Sequence, residues 1–149
     1  MKKQKGFSLI ELLIVVAIIL IIAAIAIPNL IKSKMAANEA SAVGSLRTVN
    51  TAELTYSSTY GTGFTDLPTL GSSGMLDNVL SSGTKSGYTF AATPSTGSGT
   101  TVDPYLGYTA KGTPLSGSTG TRQFCSDESG VIRFETSGTG CTGTSTPLQ

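Results

Sequence analysis

The chain has 149 residues, a formal net charge of +1, charged residues at only 13% and no histidine. That length is enough for one domain with a modest core and hardly for two, and a balance so near neutrality excludes the basic excess of a nucleic-acid binder. Without histidine there is no His general base, no His-dependent triad and no His metal ligand.

Composition changes along the chain. Sixteen of the 18 glycines follow Tyr60, where Ser and Thr are also dense, whereas the chain before it is aliphatic and then alanine-rich. A basic start comes first, with Lys2, Lys3 and Lys5. Phe7 to Ile27 then forms a stretch of 21 residues in which Glu11 is the only charge and Ser8 the only other polar residue. As a helix it would be about 31 Å long, which matches the ~30 Å hydrocarbon core of a bilayer. Lys32 and Lys34 follow it, but the larger positive cluster lies on the N-terminal side, so the start should stay cytoplasmic. A cleaved secretory signal is the competing reading, since Ala24-Ile25-Ala26 resembles a cleavage site. Against it stand the length of the apolar run and the carboxylate inside it.

Lys5-Gly6-Phe7-Ser8-Leu9-Ile10-Glu11 and the aliphatic run behind it resemble the N-terminus of type IV pilins and of the related type II secretion pseudopilins. The resemblance covers the leader and the N-terminal helix. It implies cleavage after Gly6 by a prepilin peptidase, methylation of the new amine on Phe7, and a role for Glu11 in assembly. In that family the carboxylate is thought to pair with the N-terminal amine of a neighbouring subunit. The physics agrees: either charge alone is costly in an apolar surrounding, and pairing removes much of the penalty. An intramolecular Phe7–Glu11 pair, four residues apart on one helix, is the alternative.

Pro28 closes the apolar run, and inside a helix it removes one hydrogen bond and presses on the carbonyl of Ala24, which predicts a kink. Beyond it Val43, Leu46, Val49, Ala52, Tyr56 and Tyr60 recur every three or four residues as one apolar stripe. Asn38, Glu39, Ser45, Arg47 and Asn50 lie mostly off that stripe. Gly61 reads as the helix stop. A continuous helix from Phe7 to Tyr60 would reach ~80 Å, its second half packing against a head; a coiled-coil dimer is the alternative.

In the head, 61 to 86 reads as a connection with apolar anchors and a helical turn at Asp77–Leu80. Strands are predicted at Tyr88–Ala92, Tyr105–Thr109, Arg122–Cys125 and Val131–Glu135, with Asp127–Gly130 as a hairpin turn. The stretches Ser95–Thr101 and Ser116–Thr121 read as mobile. The expected fold is therefore α+β: a long N-terminal helix on an antiparallel sheet of three or four strands, as the resemblance also implies. Its parts are a leader (1–6), a transmembrane and assembly helix (7–28), an amphipathic continuation (29–60) and a head (61–149). Cys125 and Cys141 enclose 15 residues; one disulfide in an oxidising compartment fits them better than two buried thiols, and many type IV pilins carry such a C-terminal bridge.

Three functions compete. The first is a structural subunit of an extracellular pilus. The second is a pseudopilin forming a periplasmic piston, for which Asp103, Asp127 and Glu128 offer scattered carboxylates that read as solvated surface rather than a metal site. The third is a membrane-anchored enzyme, for which no nucleophile–base constellation is visible. No catalytic residue, metal or cofactor is therefore expected. The partners implied by the resemblance are other copies of the chain, the prepilin peptidase and methyltransferase, and an inner-membrane assembly platform. The resemblance also implies a separate ATPase that drives the platform, and this chain itself has no Walker-type phosphate loop to supply that energy. The expected location is the inner membrane with the head in the periplasm, then the extracellular fibre.

Overall fold

The structure is a computed structural model that describes residues 6–136 and 140–148. The leader lysines and 137–139 lie outside the described residues. The chain divides into two compact units, one up to Lys34 and one from Met35 onward. A single helix, α1 (Leu9–Tyr60), contributes to both and passes through Pro28 without a break in its helical run. It stops where Gly61 turns to φ +68° and its amide reaches the Ser57 carbonyl at 3.0 Å, a terminus that a side chain would disfavour.

In the second unit, Ala42, Leu46, Val49 and Ala52 form the buried line of α1, with Val43 and Tyr56 packed at its sides. Tyr60 is 48% exposed, so the stripe ends one turn earlier than its spacing predicts. Polar residues share the buried face. Glu39, Ser45 and Asn50, expected off the stripe, are buried, and Glu53 joins them. The reason is that the head brings a partner to each of the three larger polar groups, as described below.

Two short helices follow. α2 (Leu67–Ser72) is capped by the Asp66 side chain, which accepts from the Thr69 amide, with a proline in its first turn. α3 (Asn78–Ser81) is capped in the same way by Asp77 through the Leu80 amide. That hydrogen bond is the main cause holding the Asp77 carboxyl below its ordinary range. Leu67, Leu70 and Leu80 go into the core.

The sheet has six strands in sequential order, every neighbour antiparallel: β1 (Thr84–Lys85), β2 (Tyr88–Ser95), β3 (Gly107–Pro114), β4 (Gln123–Asp127), β5 (Arg133–Glu135) and β6 (Thr146–Pro147). Tyr88, Phe90 and Ala92 point inward and alternate with exposed neighbours, the period of a half-buried strand. β3 begins and ends later than its apolar residues predict. Gly112 makes this possible: a Cβ there would press on the Phe90 ring, so the aromatic packing needs the glycine. Tyr105, expected to open that strand, instead bridges to Gly63 just after α1. Gly63 has φ +83°, and a Cβ on it would collide with the Tyr105 carbonyl.

The 116–121 stretch, expected to be mobile, is tied to α1. Asn38 donates to the Thr119 carbonyl at 2.9 Å, and Glu39 accepts from the Thr121 amide at 3.0 Å.

Both outer edges of the sheet are short. β1 covers only the start of β2, where the Phe90 amide donates to Gly83 at 2.7 Å. In an antiparallel strand alternate residues turn their polar groups to the same side. Pro94 therefore faces the uncovered part of that edge without an N–H. The opposite edge strand, β6, contains Pro147.

Cys125 and Cys141 are joined by a disulfide with Cα atoms 5.6 Å apart, and both are buried. The bridge fastens the chain after β5 back onto β4. Replacing both cysteines by alanine is expected to lower head stability by about 3 kcal/mol, the entropy of reopening a loop of this size. The shift in urea midpoint under oxidising conditions measures it.

Candidate functional site

Gly6 and Phe7 lie exposed ahead of α1, and Phe7 is therefore outside the helix rather than one turn below Glu11 on it. Glu11 does have an intramolecular partner, a different one: its Oε2 accepts the Ser8 amide at 2.8 Å. Ser8-Leu9-Ile10-Glu11 has the Ser-x-x-Glu spacing of a capping box, in which the third helical residue satisfies the cap's own amide. The sequence contained this signal, which the apolar context around Glu11 obscures. The carboxylate also sits in the first turn, where the helix dipole favours negative charge.

Behind it the helix is apolar on all sides. Leu9, Leu12, Leu13, Val16, Ala17 and Leu20 share one face. At ~100° per residue Glu11 falls on the opposite face, with Ile14, Ile18 and Ile22. The side chains of both faces are exposed, from Leu9 at 76% to Val16 at 46%. α1 is long and apolar enough to cross a membrane by length and composition. A helix without a polar face is stable only among apolar neighbours on every side, whether lipid or other helices.

The head carries a different set of polar sites. The Glu39 Oε1 accepts from the Thr121 amide and hydroxyl and the Arg122 amide, at 3.0, 3.2 and 3.3 Å. Its Oε2 takes Nε and Nη2 of Arg122 at 2.9 and 2.8 Å. Burial pushes the Glu39 carboxyl up, but these donors, the Thr121 amide first and then Arg122, together hold it below its ordinary value. Arg122 in turn lies 5.4 Å from the ring centres of both Phe124 and Phe134. Further along α1, Asn50 donates to the Ser126 hydroxyl at 2.8 Å and accepts from the Tyr108 hydroxyl at 2.9 Å, closing a buried network. These groups fix the helix to the sheet. Among the described residues, Asp103, Asp127 and Glu128 do not gather with other ligand types into a metal site.

A family model described as the prokaryotic N-terminal methylation motif matches residues 1–27. The chain is 59% identical over 39 residues to the type IV wide pilus major component PilA4 of Thermus thermophilus, covering 26% of this chain and 30% of that protein. It is 48% identical over 54 residues to the type IV major pilin protein PilA of Myxococcus xanthus, covering 36% of this chain and 24% of the other. The matched segment thus spans less than a third of either relative. The N-terminal segment of the chain is similar to that of type IV pilins, and a long helix and an antiparallel sheet accompany it.

Proposed function

We propose that the chain is a structural subunit of a type IV pilus, cut after Gly6, methylated on Phe7 and polymerised through its N-terminal helix into an extracellular filament. The observation that carries this reading is a helix surface apolar all round and unburied from Leu12 to Ile27, headed by Glu11 four residues behind Phe7. Before assembly the helix is stored in the inner membrane, with Lys2, Lys3 and Lys5 on the cytoplasmic side and the head in the periplasm. Assembly exchanges lipid for the helices of neighbouring copies. The Glu11 carboxylate meets the Phe7 amine of a neighbour, so that neither charge is left alone in the apolar interior. A peptidase and methyltransferase prepare the subunit, and a platform driven by a separate ATPase extracts it. The chain is a building element and performs no catalysis.

Mass spectrometry of the N-terminal peptide from material sheared off the cell surface tests this. The expected peptide begins at methylated Phe7. Recovery of that peptide only from the membrane fraction would replace the pilus with a pseudopilin. A chain that keeps Met1, or starts near Ile27, would overturn the processing itself.

A further inference from the structure

Glu53 is fully buried, at 0% exposure, in the second unit. Its Oε2 accepts the Thr65 amide at 2.9 Å, and its Oε1 has no hydrogen-bond partner among the described residues. No ion pair neutralises it among the described residues. From the connection after α1, the charged group facing it is Asp66, which is also negative. From β3 comes Tyr108, a phenol kept neutral by burial and by the charges of Glu53, Asp127 and Glu128. A buried carboxylate with one bare oxygen, one amide donor and a negative charge facing it is costly as an anion and much cheaper as an acid.

The amide that Glu53 holds lies in the connection that carries the head's far end. Residues 61–66 contain Gly63, bridged to Tyr105 of the β2–β3 loop, and Phe64, whose ring centre is 4.7 Å from that of Tyr108. The same connection ends in Asp66, the cap of α2.

We propose that Glu53 is a proton-operated latch: as the neutral acid it holds the 61–66 connection, and with it the β2–β3 loop, against α1, and on ionisation it releases them. The site takes a proton as its ligand and leaves the rest of the head's core intact. Burial first, then the Asp66 charge, outweigh the Thr65 amide and push this carboxyl up to about 7 from an ordinary 4.5. In the open state the side chain is wet and ionises normally. Opening therefore releases a proton. The closed state is favoured in full below about 4.5 and loses that advantage as pH rises to about 7.

The test uses the full chain in detergent micelles and follows amide exchange at Thr65 as a function of pH. After correction for intrinsic exchange, protection at Thr65 is expected to fall roughly tenfold per pH unit from about pH 5 to about 7, then to level off. Glu53→Gln keeps the acceptor without the charge, and its protection is expected to be flat over that range. Identical pH profiles for the two chains would overturn the latch. A second measurement needs no substitution: carbon-13 NMR of the Glu53 carboxyl in the unaltered chain. A titration near 7 supports the latch, and one near 4.5 sinks it, whatever the fate of the glutamine variant.

Discussion

Glu11→Leu is expected to leave processing at Gly6 intact and to cut the yield of sheared filaments at least a hundredfold. The magnitude follows from what the substitution strands. A neighbour's Phe7 amine, buried among aliphatic helices without its anion, costs roughly 3 kcal/mol or more, beyond a factor of a hundred in each addition step. The capping box gives Glu11 a second job, however, and Glu11→Leu removes both at once. Glu11→Gln separates them, because glutamine at the third helical position still accepts the Ser8 amide but carries no charge. If charge is what assembly needs, the glutamine chain is cleaved normally and fails to polymerise like the leucine one. If filaments return with Gln, the residue is a helix cap and its assembly role is lost. Loss of the cap alone costs only about 1 kcal/mol, too little to empty the cell surface.

Glu39→Ala is expected to destabilise the head by roughly 3 kcal/mol. Three donors on the 121–122 segment lose their acceptor, and Arg122, held against two aromatic rings, loses its counter-ion. Because the Arg122 side chain is 36% exposed, it can rehydrate, so the cost stays at the lower end for a broken buried pair. Urea unfolding of the detergent-solubilised chain gives the number. Glu39→Gln, which keeps one acceptor oxygen for the 121–122 amides but no charge for Arg122, is expected to lose about half as much. The pH dependence has a definite sign. The ionised form of Glu39 is the one the fold favours, so its contribution is present above about 4.5 and disappears as pH falls through the lowered folded value. Glu39→Gln should remove this acid limb of the stability curve, whereas Glu53→Gln removes the limb that falls toward neutrality. The two carboxyls lie on one helix and are shifted in opposite directions, because Glu39 meets several donors including a cation and Glu53 meets one amide and the Asp66 charge.

The N-terminal segment was legible in the sequence because so few arrangements place one carboxylate in an aliphatic run directly behind Gly-Phe. Gly61 as the end of α1 was equally plain, since the helix needs a left-handed residue there. The head was legible in its core strands and blurred at their edges. Tyr105 and Leu106 look like the start of a strand, yet Tyr105 bridges to Gly63, a pairing set by a backbone approach that no local pattern encodes. Conversely Lys111-Gly112-Thr113-Pro114 looks like a loop and is strand, because the space at Gly112 is filled by Phe90 from the preceding, paired strand. Glu39 and Asn50 were read as outward because they are polar; burial was decided by Arg122, Ser126 and Tyr108, more than fifty residues away. Glu53 escaped notice for the same reason, although its distance from Leu46 and Val49 fits the buried line.

Pro94, Pro147 and the two-residue strands beside them acquire their meaning from crowding. The fibre proposed above would hold identical heads at very high local concentration, each carrying a sheet whose rim, if long and unblocked, would template the rim of the next. Such rims zip together irreversibly, as in amyloid. A strand of two residues offers almost nothing to zip, and a proline cannot donate to an incoming chain. In the fibre proposed above, identical heads built this way stand side by side without their sheets merging, which leaves the choice of contact to the helices.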